Sequence, residues 1–304
     1  WGVAGLGPLA WCALVAGACA ALAPLPAAGR VAGLVLAAAA CAWRPPPPDW
    51  GAARLALLDV GQGLAVVVET RGHVLVYDTG PAFRSGSDTG AIVVEPYLRH
   101  RGRRRVDALV ASHDDLDHAG GAATLAQRLP IRHRVASGSA LDVLGPAERC
   151  RRGGQWSWDG VRFEWLHPGT QPGRGDNEDS CVLRVRAGPH VALLTGDIER
   201  QAEAGLAGQS GTGRVDILTV PHHGSRTSST AAFVAATRPR WALVSAGHRN
   251  RWGFPKPDVV ERWEAAGAAV LNTAATGAIE FELHPERPLA APGLARSRAR
   301  RLWH

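Results

Sequence analysis

The densest group of chemistry-bearing side chains lies in Ser112-His113-Asp114-Asp115-Leu116-Asp117-His118-Ala119-Gly120-Gly121. His113, Asp115, Asp117 and His118 are four potential metal ligands within six positions. Side chains alternate at a strand end, so His113, Asp115 and Asp117 can converge on one side while His118 swings in as a helix begins. Packing so many ionisable groups together costs free energy unless a cation neutralises them. Three other segments repeat the pattern of a polar group directly after an apolar run: Asp197 in Leu193-Leu194-Thr195-Gly196-Asp197, the pair His222 and His223 after Val220-Pro221, and Asp78 after Val76-Tyr77. Strand ends are where α/β sheets collect their ligands. Together these groups point to a two-metal hydrolytic site, in which divalent ions activate water and neutralise developing charge. The donor set is rich in oxygen, which moves the preference toward Mn²⁺ or Mg²⁺, while the imidazoles keep Zn²⁺ in range.

Ser225, Arg226, Thr227 and Ser228 follow the histidine pair and precede a helical pattern. Hydroxyls, a guanidinium and a helix N-terminus make a phosphate cradle. The stretch Arg99-His100-Arg101-Gly102-Arg103-Arg104-Arg105 reads either as a track for a nucleic-acid backbone or as a solvated charge run.

The elements that must position these groups interleave. Residues 55–60, 65–69 and 73–78 read as hairpin-linked strands, and 106–112 as a further strand. Residues 118–129, 230–237 and 258–267 read as helices. Strands follow at 161–166, 181–186, 190–197, 216–221 and 240–247. The hairpins argue against a purely parallel sheet within an α/β class.

The 304 residues suit one large domain or two small ones. The formal charge of +7 points weakly to a polyanionic partner. Five cysteines without a C-x-x-C pair indicate neither a disulfide scaffold nor a cysteine zinc knuckle. The sequence contains no Met and begins at Trp1, so it is read as a piece of a longer protein. Residues 1–43 are strongly apolar. The uncharged run 8–28 predicts one membrane-spanning helix across the ~30 Å hydrocarbon core, and 31–43 a shorter second apolar helix. Arg44-Pro45-Pro46-Pro47-Pro48-Asp49-Trp50 predicts a stiff linker over 44–53, with the catalytic domain over 54–285. Residues 286–304 read as a basic, disordered tail.

The motifs resemble those of the metallo-β-lactamase superfamily, whose central motif is His-x-His-x-Asp-His. With Asp115 at the second His position, the chain is similar to the C-terminal domains of the ComEC family of DNA-uptake channel proteins. Further matches are Leu58-Asp59-Val60-Gly61-Gln62-Gly63, residues 177–183, 194–199, 222–225, 245–247 and 250–255. The apolar start is similar to the end of that family's membrane channel domain.

The resemblance implies an αββα sandwich with two divalent metals at one edge of the paired sheets. It implies that His113 and Asp115 hold one ion, Asp117 and His118 the other, and that Asp197 bridges both. His223 or His222 completes the second site, the other touching substrate phosphate beside Ser225, Arg226, Thr227, Ser228 and Asn250. Asp117, Asp197 and His222 would then carry catalysis, with Asp78 and Asn177 orienting ligands. The chain departs from the family pattern at Leu64, where a polar residue is usual, and at Phe254, where His is usual. Asn177 or Asp176 stands where the wider superfamily has a third-motif His.

The implied function is a membrane-tethered nuclease domain of a DNA-uptake channel, hydrolysing the strand that is not imported. It would sit on the extracytoplasmic face of the cell membrane, with DNA, the upstream channel domain and other uptake proteins as partners. Two alternatives remain: another metallo-phosphodiesterase of the phosphorylcholine-esterase kind, which shares the His-His-Gly-Ser segment, or a metal-free module that guides DNA.

Overall fold

The computed structural model describes residues 8–138, 140–169, 177–208 and 213–298. They divide into two compact units. The smaller comprises residues up to Pro46 together with Glu95–Arg104, and the larger comprises Pro47–Val94 and the chain from Arg105 onward.

The larger unit contains fifteen strands among the described residues. They are β1 (Ala53–Leu57), β2 (Val66–Glu69), β3 (Val74–Tyr77), β4 (Val106–Ala111), β5 (Ile131–Ala136), β6 (Glu148–Arg149), β7 (Gln155–Trp158), β8 (Val161–His167), β9 (Val182–Ala187), β10 (His190–Leu194), β11 (Ile217–Thr219), β12 (Trp241–Val244), β13 (Ala269–Asn272), β14 (Ile279–Leu283) and β15 (Gly293–Leu294). One sheet runs β15-β14-β1-β2-β3-β4-β5-β6 and the other β13-β12-β11-β10-β9-β8-β7. Each is antiparallel on one side and parallel on the other, the change falling at β3 in the first sheet and at β10 in the second.

The period of two in each strand explains the layers. Leu55, Leu57, Val66, Val68, Leu75, Tyr77 and Val110 of the first sheet share one core with Phe163, Leu183, Val185, Ala192, Leu194 and Leu243 of the second. The intervening residues Val67, Val76 and Leu109 are also buried, so both faces of these strands are covered. On the far side of the second sheet, Leu193, Leu218 and Val244 pack against Ala202 and Leu206, Phe233 and Val234, and Val259 and Trp263. Those residues belong to the helices Arg200–Ala207, Ala231–Thr237 and Pro257–Ala265.

Several expectations need correction. The helix expected over 118–129 is two short helices, Leu116–Ala119 and Ala122–Arg128, because Gly120 and Gly121 interrupt it. The expected linker is shorter than 44–53: Pro47 already belongs to the larger unit, the Gly51 N–H donates to the Asp159 carbonyl (2.7 Å), and Ala53 opens β1. Glu95–Arg104 groups with the apolar start instead of with the sandwich. The segment read as a disordered tail is built into the fold as far as residue 298. Leu289 is buried, its carbonyl accepts from Arg240 (2.9 Å), and β15 pairs with β14; residues 299–304 lie outside the described part. Cys150 and Cys181 form a disulfide across 31 positions. It ties the end of β6 to the residue before β9, a pairing of distant segments that no short Cys spacing announces.

In the smaller unit, the helices Pro8–Leu22 and Ala27–Ala42 lie against each other. Gly17 and Gly33 are where their backbones meet: a Cβ on Gly33 would stand 2.7 Å from the Gly17 carbonyl oxygen. Leu9, Val15, Leu22, Leu34 and Val35 are exposed. The single helix expected over 8–28 is broken after Leu22, ahead of Pro24 and Pro26. Among the described residues, no helix is long and apolar enough to cross a membrane.

Candidate metal centre

The ends of β3, β4, β10 and β11 deliver Asp78, His113, Asp197 and His222–His223 to one place. Asp78, His113, His118, Asp197 and His223 are all buried. His118 Nε2 lies 3.1 Å from Asp197 Oδ1 and 3.2 Å from His223 Nε2. His223 Nε2 lies 3.3 Å from Asp117 Oδ2 and 3.4 Å from Asp197 Oδ2. Two groupings of candidate ligand atoms emerge among the described residues: His113, His118 and Asp197, and Asp117, His118 and His223.

The hydrogen bonds behind the histidines fix which nitrogen faces inward. His118 Nδ1 is 2.8 Å from Asp78 Oδ2, a carboxylate that only accepts, so Nδ1 carries the proton. His223 Nδ1 donates to the Ser245 carbonyl (2.8 Å). The Ser112 hydroxyl donates to Asp78 Oδ2 (2.7 Å), which leaves its oxygen to accept from His113 Nδ1 at 3.0 Å. In neutral rings all three Nε2 atoms therefore present lone pairs. Those of His118 and His223 face each other, and buried His113 Nε2 has no hydrogen-bond partner. Lone pairs and carboxylate oxygens converging in a buried site are the donor set of a divalent cation. The residues fit the metal that the fold implies.

Charge has the same pattern. Burial alone would push the His118 imidazole down, but Asp197 and Asp78 on either side hold it well above its ordinary range. Burial works against His223 in the same way, and Asp197 and Asp117 raise it. Burial would raise the Asp197 carboxyl, yet His118 and His223 hold it well below the usual carboxylate range. These opposed shifts show a cluster that favours added positive charge, which a cation can supply in place of protons.

Backbone strain concentrates at the same spot. Asp78 (φ 58°), His222 (φ 49°) and His223 (φ 53°) all adopt the left-handed region. Such strain costs on the order of 1–3 kcal/mol per residue and gathers at functional sites. Gly196 (φ +56°) is required where it stands, because a Cβ there would meet the Ser180 and Ser112 side chains at 2.9 and 3.0 Å.

Other expected residues are placed differently. Asp115 is a rim residue with 54% of its side chain exposed; Oδ2 sits 3.5 Å from His113 Nε2, outside both groupings. His222 Nε2 is 3.9 Å from Asp197 Oδ2, and its Nδ1 is held by Glu199 (3.0 Å) and Thr227 (3.1 Å). Asn177 reaches Glu199 at 3.5 Å and not the ligand atoms; Asp176 lies outside the described residues.

The phosphate cradle is not formed. Ser228 is buried and donates to the Pro221 and Ser225 carbonyls, the Ser225 and Thr227 hydroxyls pair at 3.0 Å, and Arg226 bonds Asp258 (2.9 Å). The helix does not start there either. It is capped by Thr230, and the N–H groups of Ser229 and Thr230 are both given to the Glu203 carboxylate. Asn250 is likewise spent internally, donating to the Gly247 and Phe254 carbonyls and accepting from the Phe254 N–H. In the basic stretch, Arg99 pairs with Glu95 and Arg105 with Asp107.

Sequence reading missed Ser112, Ser180, Glu199 and Ser245 as supporting groups. Ser180 Oγ accepts the Asp197 N–H at 3.2 Å and lies 3.4 Å from His113 Nδ1. Ser112, Ser180 and Glu199 fall inside quoted motifs, so proximity to the ligands was their signal. Ser245 acts through its carbonyl, which leaves no mark on residue type.

A family model described as the metallo-beta-lactamase superfamily matches residues 58–248. Recombination protein 2 of Haemophilus influenzae is 37% identical over 240 residues, covering 79% of this chain and 30% of that protein. Competence protein ComA of Neisseria gonorrhoeae is 37% identical over 274 residues, covering 89% and 38%. ComE operon protein 3 of Bacillus subtilis is 29% identical over 251 residues, covering 74% and 32%. The chain thus spans about a third of the length of these relatives. Two solved structures share the fold at low identity. Igni18, a metallo hydrolase of Ignicoccus hospitalis, has a TM-score of 0.52 at 17% identity, covering 75% of this chain and 98% of that one. YhfI of Bacillus subtilis has a TM-score of 0.51 at 12% identity, covering 76% and 99%. With its fold, its motif and its relatives in agreement, the chain belongs to the metallo-beta-lactamase superfamily, as a ComEC-like domain.

Proposed function

We propose that this chain carries the metal-dependent nuclease domain of a DNA-uptake protein, cleaving phosphodiesters of the strand that is not imported. The observation that carries the reading is the convergence of three imidazole Nε2 atoms and the Asp197 carboxylate in a buried site, on a chain 37% identical to a protein named for competence. His113, His118, Asp197, His223 and Asp117 would hold two divalent ions, with Mn²⁺ favoured by the carboxylates. Bound there, such ions supply Lewis-acid chemistry, lowering the pKa of water and taking up charge on a phosphoryl oxygen.

The chain's own residues do the rest. Asp78 and the Ser245 carbonyl hold His118 and His223 in the tautomers that aim Nε2 inward. His222, fixed by Glu199 and Thr227, is part exposed with its Nε2 3.9 Å from Asp197 Oδ2, where it would hold or pass a proton to a phosphate oxygen. Asp115 stands on the rim as the remaining carboxylate.

A membrane setting is part of the proposal. The outward Leu and Val side chains of the two N-terminal helices support an apolar surrounding, either lipid or an apolar protein partner. The Cys150–Cys181 disulfide supports an oxidising compartment and hence the extracytoplasmic face.

The test is cleavage of end-labelled single- and double-stranded DNA with Mn²⁺, Mg²⁺, Zn²⁺ or EDTA, beside Asp117→Ala and Asp197→Ala. Metal-dependent cleavage lost in both variants is the expected result. DNA bound but intact with every metal would sink the nuclease and favour a guiding module.

A further inference from the structure

The loop after β12 carries an aromatic and cationic ladder that the metal centre does not use. Phe254 lies beside the histidine pair, its ring centroid 5.8 Å from that of His222 and 6.5 Å from that of His223. Trp252 lies nearly parallel to Phe254, at 11° and 6.5 Å, and is 43% exposed. Arg251 covers Trp252 at 4.2 Å, and the Lys256 ammonium lies 5.4 Å from the Phe254 centroid. The ladder runs from the metal-site histidines outward to solvent.

This loop is rigid by construction. The Asn250 side chain closes it with three hydrogen bonds to Gly247 and Phe254, and Lys256 donates to the Trp252 carbonyl (2.6 Å). The clamp fixes the backbone that carries Trp252, so the half-exposed indole and the guanidinium over it are presented to solvent together. The cations above both rings argue against a quaternary ammonium ligand, which would meet like charge. They suit a ligand with a flat π-face joined to a phosphate.

Resting on the nuclease reading, we propose that Trp252 and Phe254 form a stacking platform for an unpaired nucleobase next to the metal centre. The base takes the face of Trp252 that Arg251 covers, and the guanidinium moves onto the adjoining phosphate. An exposed cation–π contact is weaker than base–aromatic stacking, so the exchange is downhill. Bases in a duplex present no free π-face, so the platform selects single-stranded DNA or a frayed end.

The test uses the full chain and two fluorescent strands of equal length, an oligothymidylate and its abasic counterpart, with binding measured in EDTA and cleavage in Mn²⁺. Wild type should prefer the base-containing strand by about tenfold or more. Trp252→Ala should erase that preference, and Trp252→Phe should restore most of it. Equal affinity of wild type for both strands overturns the platform, as does a Trp252→Ala variant that keeps the preference. Cleavage without base preference leaves the nuclease standing and removes the platform. Base preference without cleavage in Mn²⁺, or in Mg²⁺ or Zn²⁺ added in its place, does the reverse. Turnover of a phosphorylcholine ester, with no strand bound, overturns both.

Discussion

Two polar clusters stand close together in this molecule and behave in opposite ways. In the strand-end cluster, the rear atoms of His113, His118 and His223 are bonded to Ser112, Asp78 and Ser245, which leaves the Nε2 atoms of His118 and His223 facing each other and that of His113 without a hydrogen bond. In the loop 225–228, the Ser225 and Thr227 hydroxyls bond each other, Thr227 also meets His222 Nδ1, Ser228 bonds two carbonyls and Arg226 Nε bonds Asp258, so these groups are already engaged with protein partners. Residue type is the same kind of evidence in both. What separates a site from a satisfied loop is where the leftover hydrogen-bonding capacity points.

The largest effect is expected from removing the carboxylate that both His118 and His223 face. Asp197→Ala should lower bound metal, read by elemental analysis, and reduce any hydrolysis by more than about 100-fold. In the metal-free chain it should also destabilise the fold by about 3–5 kcal/mol at neutral pH, because His118 and His223 lose their main counter-charge. Wild-type metal content in this variant would mean that the convergence at Asp197 is a salt-bridge cluster and not a metal site.

Asp78→Asn tests the rear of the same cluster. Asn keeps an acceptor for the Ser112 N–H, now 2.7 Å from Oδ1, but its amide cannot accept the His118 Nδ1 proton. Metal affinity should fall about 10- to 100-fold with the fold intact. An unchanged affinity in metal titrations would show that the tautomer of His118 is set elsewhere.

Much of the sandwich was legible, since the mostly apolar run 66–69 is buried throughout, and 182–187 turns Leu183, Val185 and Ala187 to the core while Arg184 and Arg186 face away from it. That His113, Asp197 and His223 come together was legible for a related reason: each follows an apolar run whose end lies at the same edge of the sheets. The failures share a cause. Ser228, Arg226 and Asn250 have the chemistry of phosphate contacts, but their partners are carbonyls and a carboxylate brought in by the fold. Glu203, from another helix, occupies the N–H groups that the phosphate was expected to take. Cys150 and Cys181 pair across the sheets, and β15 finds β14 through Leu294 against Ile279, neither of which has a local signature.

Glu203 offers a milder test of the satisfied side. It is fully buried, and burial pushes its carboxyl from 4.5 up to about 7 despite the N–H groups of Thr230 and Ser229. The folded state therefore binds this proton more tightly than the unfolded chain. Its contribution to stability is present in full below about pH 4.5 and is lost as pH rises through about 7, by up to about 3 kcal/mol. Urea midpoints of wild type should decline over that window relative to Glu203→Gln. Parallel curves for the two proteins would place the titrating group elsewhere.

The smallest effect is expected where the sequence pointed most directly to phosphate. Arg226 is 66% exposed and already bonded to Asp258, a surface pair of little energetic weight. Arg226→Ala should leave the KM for a DNA substrate within about threefold of wild type and its salt dependence nearly unchanged. Under the cradle reading the same variant loses a charge-assisted phosphate contact, so KM rises well beyond threefold and the salt slope becomes shallower by about one. The salt slope is the more discriminating readout, because a guanidinium that meets a phosphate releases a counterion and one that meets Asp258 does not.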